Sequence, residues 1–481
     1  MKPGPLVIAV LVLTLADVEP AAGQTNFGDR AIDRLSFPEL IFQPPTPTEH
    51  DLDGVPVLIL EEHTLPLVTV FARFRGGYSV WGRDFYAAGT ALPALLRYGG
   101  TRELPPDSVD EMLELYAIQT SFGGAGESIS SSMNTLTEHL SAALDLWGAL
   151  MTEPGFDSVE IEVWRGRQDE AIRRRMDNPS GLAFSEFNRL LYGDHPIGWE
   201  MEPSDLEDPL LSPDRFRKLH ARIVCRENLV LGVTGDVAWG EVGPLLERLV
   251  SRMPHCEGEM PPSPAPEIRR EPGVYLIEKD LEQSVVVMAH ATDVHLADEP
   301  AYFAATIGNS ILGGGGFASR ILSRVRTEEG YAYSASSLWT MPRRYDGLLG
   351  AITRTRPENT VPAIKVILET MAGLRDAPPE DDEVRTAVER VVNGFVFNFE
   401  TAGQIVSRTM FYLAQDLPQD WLQRYMDGVI GVTPAAIHAA FAQHLRPDEM
   451  MILVVGDPER IGLGELERLG KITRIEVPNG R

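Results

Sequence analysis

The sequence predicts an α+β chain of two homologous halves, and three observations carry that prediction. The stretches Asn228-LVLGVT-Gly235-Asp236 and Glu449-MMILVV-Gly456-Asp457 each close an apolar strand on a Gly-Asp pair, 221 residues apart. Between them, residues 254–272 (PHCEGEMPPSPAPEIRREP) hold six prolines and no apolar period, the composition of an interdomain linker. The order of elements then restarts, which marks an internal duplication. The halves span 51–253 and 273–481, and strands and helices mix in each without strict alternation.

Each element has its own signal. Residues 24–50, with Pro44, Pro45 and Pro47 and few periodic apolar residues, read as a loop-like extension. Val55 to Leu60 reads as a buried strand, and Val68, Val70, Ala72 and Phe74 alternate as a second. Tyr86 to Leu96 has helical spacing and stops at Gly99-Gly100. Asp107 to Tyr116 begins with Asp and Ser, the signature of a capped helix. A polar strand runs to about Asn134. Leu136, Leu140, Ala143, Leu144, Trp147 and Leu150 then form one helical stripe. Phe156 to Arg175 is a long charged helix stopped by Asp177-Asn178-Pro179, and another helical stretch leads to His195-Pro196. In the second half, strands are expected at Val274 to Ile277, Ser284 to His290 and Leu348 to Thr355. Helices are expected at Pro300 to Leu312, Thr360 to Leu374 and Asp382 to Phe397.

A chain of 481 residues exceeds what one core usually supports, and 43% hydrophobic with 23% charged residues is an ordinary globular balance. The net charge of −27 excludes nucleic acid as a partner and is compatible with basic peptides. Lys2, the apolar run Leu6 to Leu15 and the small residues Ala21-Ala22-Gly23 follow the order of a cleaved secretory signal, residues 1–23. That run is too short to span a bilayer, and no other stretch qualifies as a membrane span. A periplasmic or secreted address is expected. Export permits a disulfide between Cys225 and Cys256, but their positions leave open whether they meet.

The chemistry concentrates in Ile311 to Ser334, ILGGGGFASRILSRVRTEEGYAYS. Gly313 to Gly316 break one helical pattern, a second follows, and Arg326 precedes Tyr333 by seven residues. No Lys follows the glycines, so a phosphate-binding P-loop is excluded; no G-x-S-x-G elbow or cysteine-protease signature occurs either. Arg is a permanent cation able to fork onto a carbonyl or oxyanion, and Tyr adds a phenolic donor. On the residues alone, Arg326 pairing with Glu328 or Glu329 and a half-buried Tyr333 stay open.

The segment resembles the insulinase/pitrilysin family of zinc metallopeptidases, whose pattern there reads G-G-G-x-S-R-L-x-x-x-(L/V)-R-x-x-x-G-x-x-Y-S. Ser319-Arg320, Val325-Arg326, Gly330 and Tyr333-Ser334 fall in register. The resemblance runs from about Gly54 to Asp457. It implies two similar halves with mainly antiparallel sheets, enclosing a peptide-binding cavity. It also implies that the Arg/Tyr pair of the second half holds substrate against zinc bound by the first, with Gly313, Gly314, Gly315, Gly316 and Phe317 contacting peptide.

Family peptidases bind that zinc through H-x-x-E-H on the first helix and a distant Glu, with the motif's Glu as general base. Counting back from Gly100-Thr101 places Ala91, Ala94 and Leu95 in the three motif positions and Glu170, or Asp169, near the distant one. Alanine and leucine cannot ligate a metal. No two of the ten histidines lie three or four apart, so no helix offers a substitute pair. His295 with Asp298 and Glu299 reads as helix capping, and His195 as part of a turn. No cofactor is expected in this chain. The resemblance therefore points to the non-catalytic subunit of an exported two-chain peptidase. Its partner would be a homologous H-x-x-E-H subunit carrying the zinc, and its ligand an extended peptide. A non-proteolytic scaffold and an autonomous zinc peptidase with an unrecognised metal site are the alternatives.

Overall fold

Two six-stranded sheets frame the computed structural model, which describes residues 42–477. The first holds β1 (Thr48–Leu52), β2 (Val55–Glu61), β3 (Leu67–Arg75), β4 (Gln119–Ala125), β5 (Ser128–Leu136) and β6 (Leu229–Gly235), ordered β1-β2-β6-β3-β5-β4. The second holds β7 (Gly273–Glu278), β8 (Ser284–Thr292), β9 (Ala332–Trp339), β10 (Gly347–Thr355), β11 (Met451–Gly456) and β12 (Ile472–Arg474), ordered β12-β7-β11-β8-β10-β9. From β2 and from β7 inward the topology repeats. A parallel pair, β2–β6 or β7–β11, is followed by antiparallel neighbours out to β4 or β9. This is the duplicated, mainly antiparallel α+β architecture expected. Only the sixth strand differs, since β1 pairs antiparallel with β2 whereas β12 runs parallel to β7.

Several local readings need correction. The ladder begins at Thr48, inside the stretch 24–50 read as loop, because Asp53 and Gly54 both take positive φ and close a tight two-residue hairpin. The single polar strand is a hairpin of two, β4 and β5, whose serines and glycines hide the period of a half-buried strand. The helix Pro106–Leu115 has no side-chain cap and begins with Pro at its first turn. Cys225 and Cys256 do meet in a disulfide with Cα atoms 5.1 Å apart. Spanning 31 residues, it removes on the order of 4 kcal/mol of unfolded-chain entropy. The secretory signal expected at residues 1–23 lies outside the described residues. Among those described, no helix is long and apolar enough to cross a membrane.

The uniform burial of β8 (SVVVMAHAT) has a structural cause. One face, Val286 and Met288, joins the core of the second half. The other, Val285, Val287 and Ala289, packs on Leu182, Phe187 and Leu191 of the first half's helix Pro179–Tyr192. The exchange is reciprocal. Val406 and Met410 of the second half's helix Ala402–Ala414 pack on Leu58, Phe71 and Val230 of the first sheet. Strands covered on both faces read as continuous apolar runs, and here each half supplies the other's cover.

Two buried histidines tie this framework to pH. His290 donates from Nδ1 to the Ala291 carbonyl and accepts the Arg446 backbone N–H at Nε2, 3.2 Å away, so the neutral ring is the one that fits. His220 donates to the Met151 carbonyl at 2.6 Å. Burial holds both below the ordinary imidazole value of 6.5. The unfolded chain then takes up protons first as pH falls, so stability is full above about pH 6.5 and declines below it. Urea unfolding between neutral and mildly acidic pH should show a slope approaching about 1.4 kcal/mol per pH unit for each group. His290→Gln should flatten it; an unchanged slope would remove His290 from this account.

Candidate functional site

The segment between Pro300 and Trp339 is shaped by glycine and by two π turns, a device that recurs at functional sites. The helix Pro300–Asn309 runs into the π turn Ser310–Gly314, which lies directly on β9. A Cβ on Gly313 would sit 2.2 Å from the Ser337 backbone nitrogen, so no larger residue fits. Ser337 donates to the Asn309 side-chain carbonyl at 2.7 Å and pins the turn. Buried Ile321 and Val325 anchor the following turn, Ser323–Glu328, and Gly330, with φ +65°, reverses the chain into β9.

Arg320 is locked by two hydrogen bonds to Glu383, at 2.8 and 2.6 Å, and is structural. Arg326 is different. Its guanidinium lies 4.8 Å from the Phe317 ring centroid and 4.6 Å from that of Tyr333, clasped between two rings. Among the described residues no carboxylate comes within 4.0 Å of it, so the alternative of pairing with Glu328 or Glu329 does not occur. Tyr333 is 77% exposed rather than half-buried, and Phe317 76%.

Both rings and Arg326 line one cavity of about 670 Å³ with Gly313, Gly314 and Gly316. Gly315 does not line it; a Cβ there would meet the Arg390 guanidinium at 2.2 Å, since that glycine turns onto the neighbouring helix. Sequence reasoning missed the opposite wall, where Ser180 and Phe184 arrive from the exchanged helix of the first half. Arg354 of β10 also lines the cavity and donates to Ser180 Oγ at 2.8 Å. No local signal could reveal residues brought in by exchange between halves.

The zinc positions lead elsewhere. Ala91 and Leu95, on the helix Tyr86–Tyr98, are 0% and 1% exposed within the first core, and Ala94 packs against it. Pro93 of the same helix abuts β4, where a Cβ on Gly124 would lie 2.7 Å from it. The residues present do not fit a metal. Glu170 is spent on Arg173 at 2.8 Å and Arg174 at 2.5 Å. The hydrogen bond from Arg173, then the charge of Arg174, holds its carboxyl below the ordinary value. His195 uses both ring nitrogens on backbone, donating to the Pro264 carbonyl and accepting from Ile197 N–H. Cys225, Glu227 and Cys256 lie within 4.8 Å of one another, but both sulfurs are in the disulfide. His255 and the Cys256 N–H engage Glu227 and hold its carboxyl at about 2.

Known proteins resemble this chain in sequence and in fold. Residues 211–391 match the family described as the peptidase M16 inactive domain. A non-peptidase homolog, YmxG, of Helicobacter pylori is 20% identical over 409 residues, covering 84% of this chain and 93% of its own length. An uncharacterized zinc protease of Mycobacterium leprae is 24% identical over 277 residues, covering 57% of this chain and 61% of the relative. In structure, a peptidase M16 inactive domain from Pseudomonas fluorescens superposes with a TM-score of 0.74 at 22% identity, covering 85% of this chain and 98% of that one. The periplasmic protease PqqL of Escherichia coli gives 0.74 at 13% identity, covering 88% of this chain and 48% of that one.

Proposed function

From the premise that this chain carries an M16 inactive domain in the insulinase/pitrilysin-like fold and lacks the catalytic motif, we propose that it is the non-catalytic subunit of an exported heterodimeric peptidase. The partner is a homologous subunit that carries H-x-x-E-H and the zinc. This chain binds an extended peptide in the cavity lined by Arg326 and Tyr333 and presents that pair to the partner's site. One observation carries the reading: a guanidinium without a carboxylate partner, held between two exposed rings in a cavity, while the zinc positions are closed into core.

The peptide carbonyl oxygen gains negative charge as water adds. An N–H of Arg326 and the Tyr333 hydroxyl are the donors this chain offers to it, and ring stacking pre-orients the guanidinium so that little must reorganise. The partner supplies metal and water. The test is reconstitution with a homologous H-x-x-E-H subunit encoded by the same genome. Hydrolysis of an unstructured peptide should require both chains, which should co-elute. A zinc subunit equally active alone, or an inert mixture, would sink the reading.

A further inference from the structure

A second cavity repeats the design of the first on the other half. The first is walled by β8, β9, β10 and the exchanged helix Pro179–Tyr192. Its counterpart is walled by β3, β4, β5 and the exchanged helix Ala402–Ala414. That space, about 460 Å³, adjoins another of about 540 Å³ through shared Phe71, Arg73 and Ser407. Two arginines face it. Arg73 donates to Ser128 Oγ at 3.0 Å and Arg408 to Asn398 Oδ1 at 2.9 Å. Among the described residues neither has a carboxylate within 4.0 Å, and no Asp or Glu lines either space.

That lining is unexpected in a chain with 70 acidic and 43 basic residues. Arg173 and Arg424, though exposed, each hold two acidic partners. Burial pulls the Arg73 guanidinium below its ordinary range, and only Glu127, on the β4–β5 turn beyond ion-pair distance, opposes this. The positive charge of Arg408 acts on Tyr302, Tyr412 and Tyr425 and opposes the rise that burial imposes on their phenols, the last two still pushed up to about 12. Two half-buried cations, neither within ion-pair distance of a carboxylate among the described residues, favour an anion from outside, although Glu127, Glu227 and Asp416 line a further space that Arg73 also borders. The adjacent β4 is the outer strand of its sheet, so an extended chain can lie along it, and Ser130 places a hydroxyl beside the mutually bonded Ser121 and Ser132.

We propose that this cavity binds the carboxylates of an extended acidic peptide, with Arg73 and Arg408 as the paired cations. The overall charge of −27 is compatible with basic peptides; the lining of this cavity favours an acidic one. The inference needs peptide binding but no zinc-bearing partner, so it stands or falls apart from the heterodimer.

The test is fluorescence anisotropy on the isolated chain with two labelled peptides that differ only in Glu replaced by Gln, each with free or amidated C-terminus. The acidic peptide should bind about tenfold tighter, the scale of one charge-assisted pair, and lose that advantage in high salt. A preference following the free C-terminus assigns the main-chain carboxylate; one following Glu assigns side chains. Arg73→Gln and Arg408→Gln should each erase most of the preference and leave affinity for the Gln peptide unchanged, while Arg408→Lys retains part of it. Equal binding of both peptides, no binding of either, or a preference that survives both Gln substitutions overturns the proposal. Loss of preference in Arg354→Gln alone, with Arg73→Gln silent, also overturns it by moving the anion site to the first cavity.

Discussion

Arg326→Ala in the reconstituted pair should lower kcat by about two to three orders of magnitude, the usual cost of removing one oxyanion donor. KM should change little, because the interaction strengthens only as charge develops on the carbonyl oxygen. The side chain is neither a core residue nor an ion-pair member, so the fold should tolerate its loss. Arg326→Lys keeps the charge but loses the planar fork that stacks between Phe317 and Tyr333, and should recover only part of the rate. Tyr333→Phe removes one neutral donor, leaves the ring under the guanidinium, and should cost less. A rise in KM at constant kcat would make Arg326 a binding residue only, and an unchanged rate would remove it from the chemistry.

Phe187→Ala should destabilise the protein by about 3–5 kcal/mol, the usual cost of emptying a fully packed aromatic site. Phe187 is 3% exposed, and its neighbours are Val285, Val287 and Leu453 of the other half's sheet. Its loss should therefore uncouple the halves as well as weaken one. Denaturant unfolding followed by tryptophan fluorescence should shift to lower midpoint and broaden as the second half loses its cover. A loss below about 1 kcal/mol would mean that the exchanged helix is not what binds the halves together.

Much of this fold is legible in the chain because its signals are local. The Gly-Asp closures at 235–236 and 456–457 report two equivalent strands, and the apolar stripe through Trp147 lies inside one helix, Leu140–Thr152. The segment around Arg326 is legible for a similar reason, since Gly313 and Gly315 sit where a Cβ would clash and Gly316 and Gly330 take positive φ. What the sequence hides is long-range. Ser180 and Arg354 meet only because helices are exchanged between halves, and nothing near either residue reports that exchange. The pairing of β4 with β5 is obscured by serines whose hydroxyls serve each other across the ladder, as Ser121 does with Ser132. Arg73 and Arg408, 335 residues apart, carry no motif at all.

The central claim is that this chain has no zinc chemistry of its own. It is tested most directly by incubating the purified chain, alone and with zinc supplied, with a quenched unstructured peptide while measuring bound metal. The account predicts no stoichiometric zinc and no cleavage, because Ala91, Ala94 and Leu95 offer no ligands and Glu170 is held by Arg173 and Arg174. One bound zinc per chain, together with cleavage that a chelator abolishes, would contradict it.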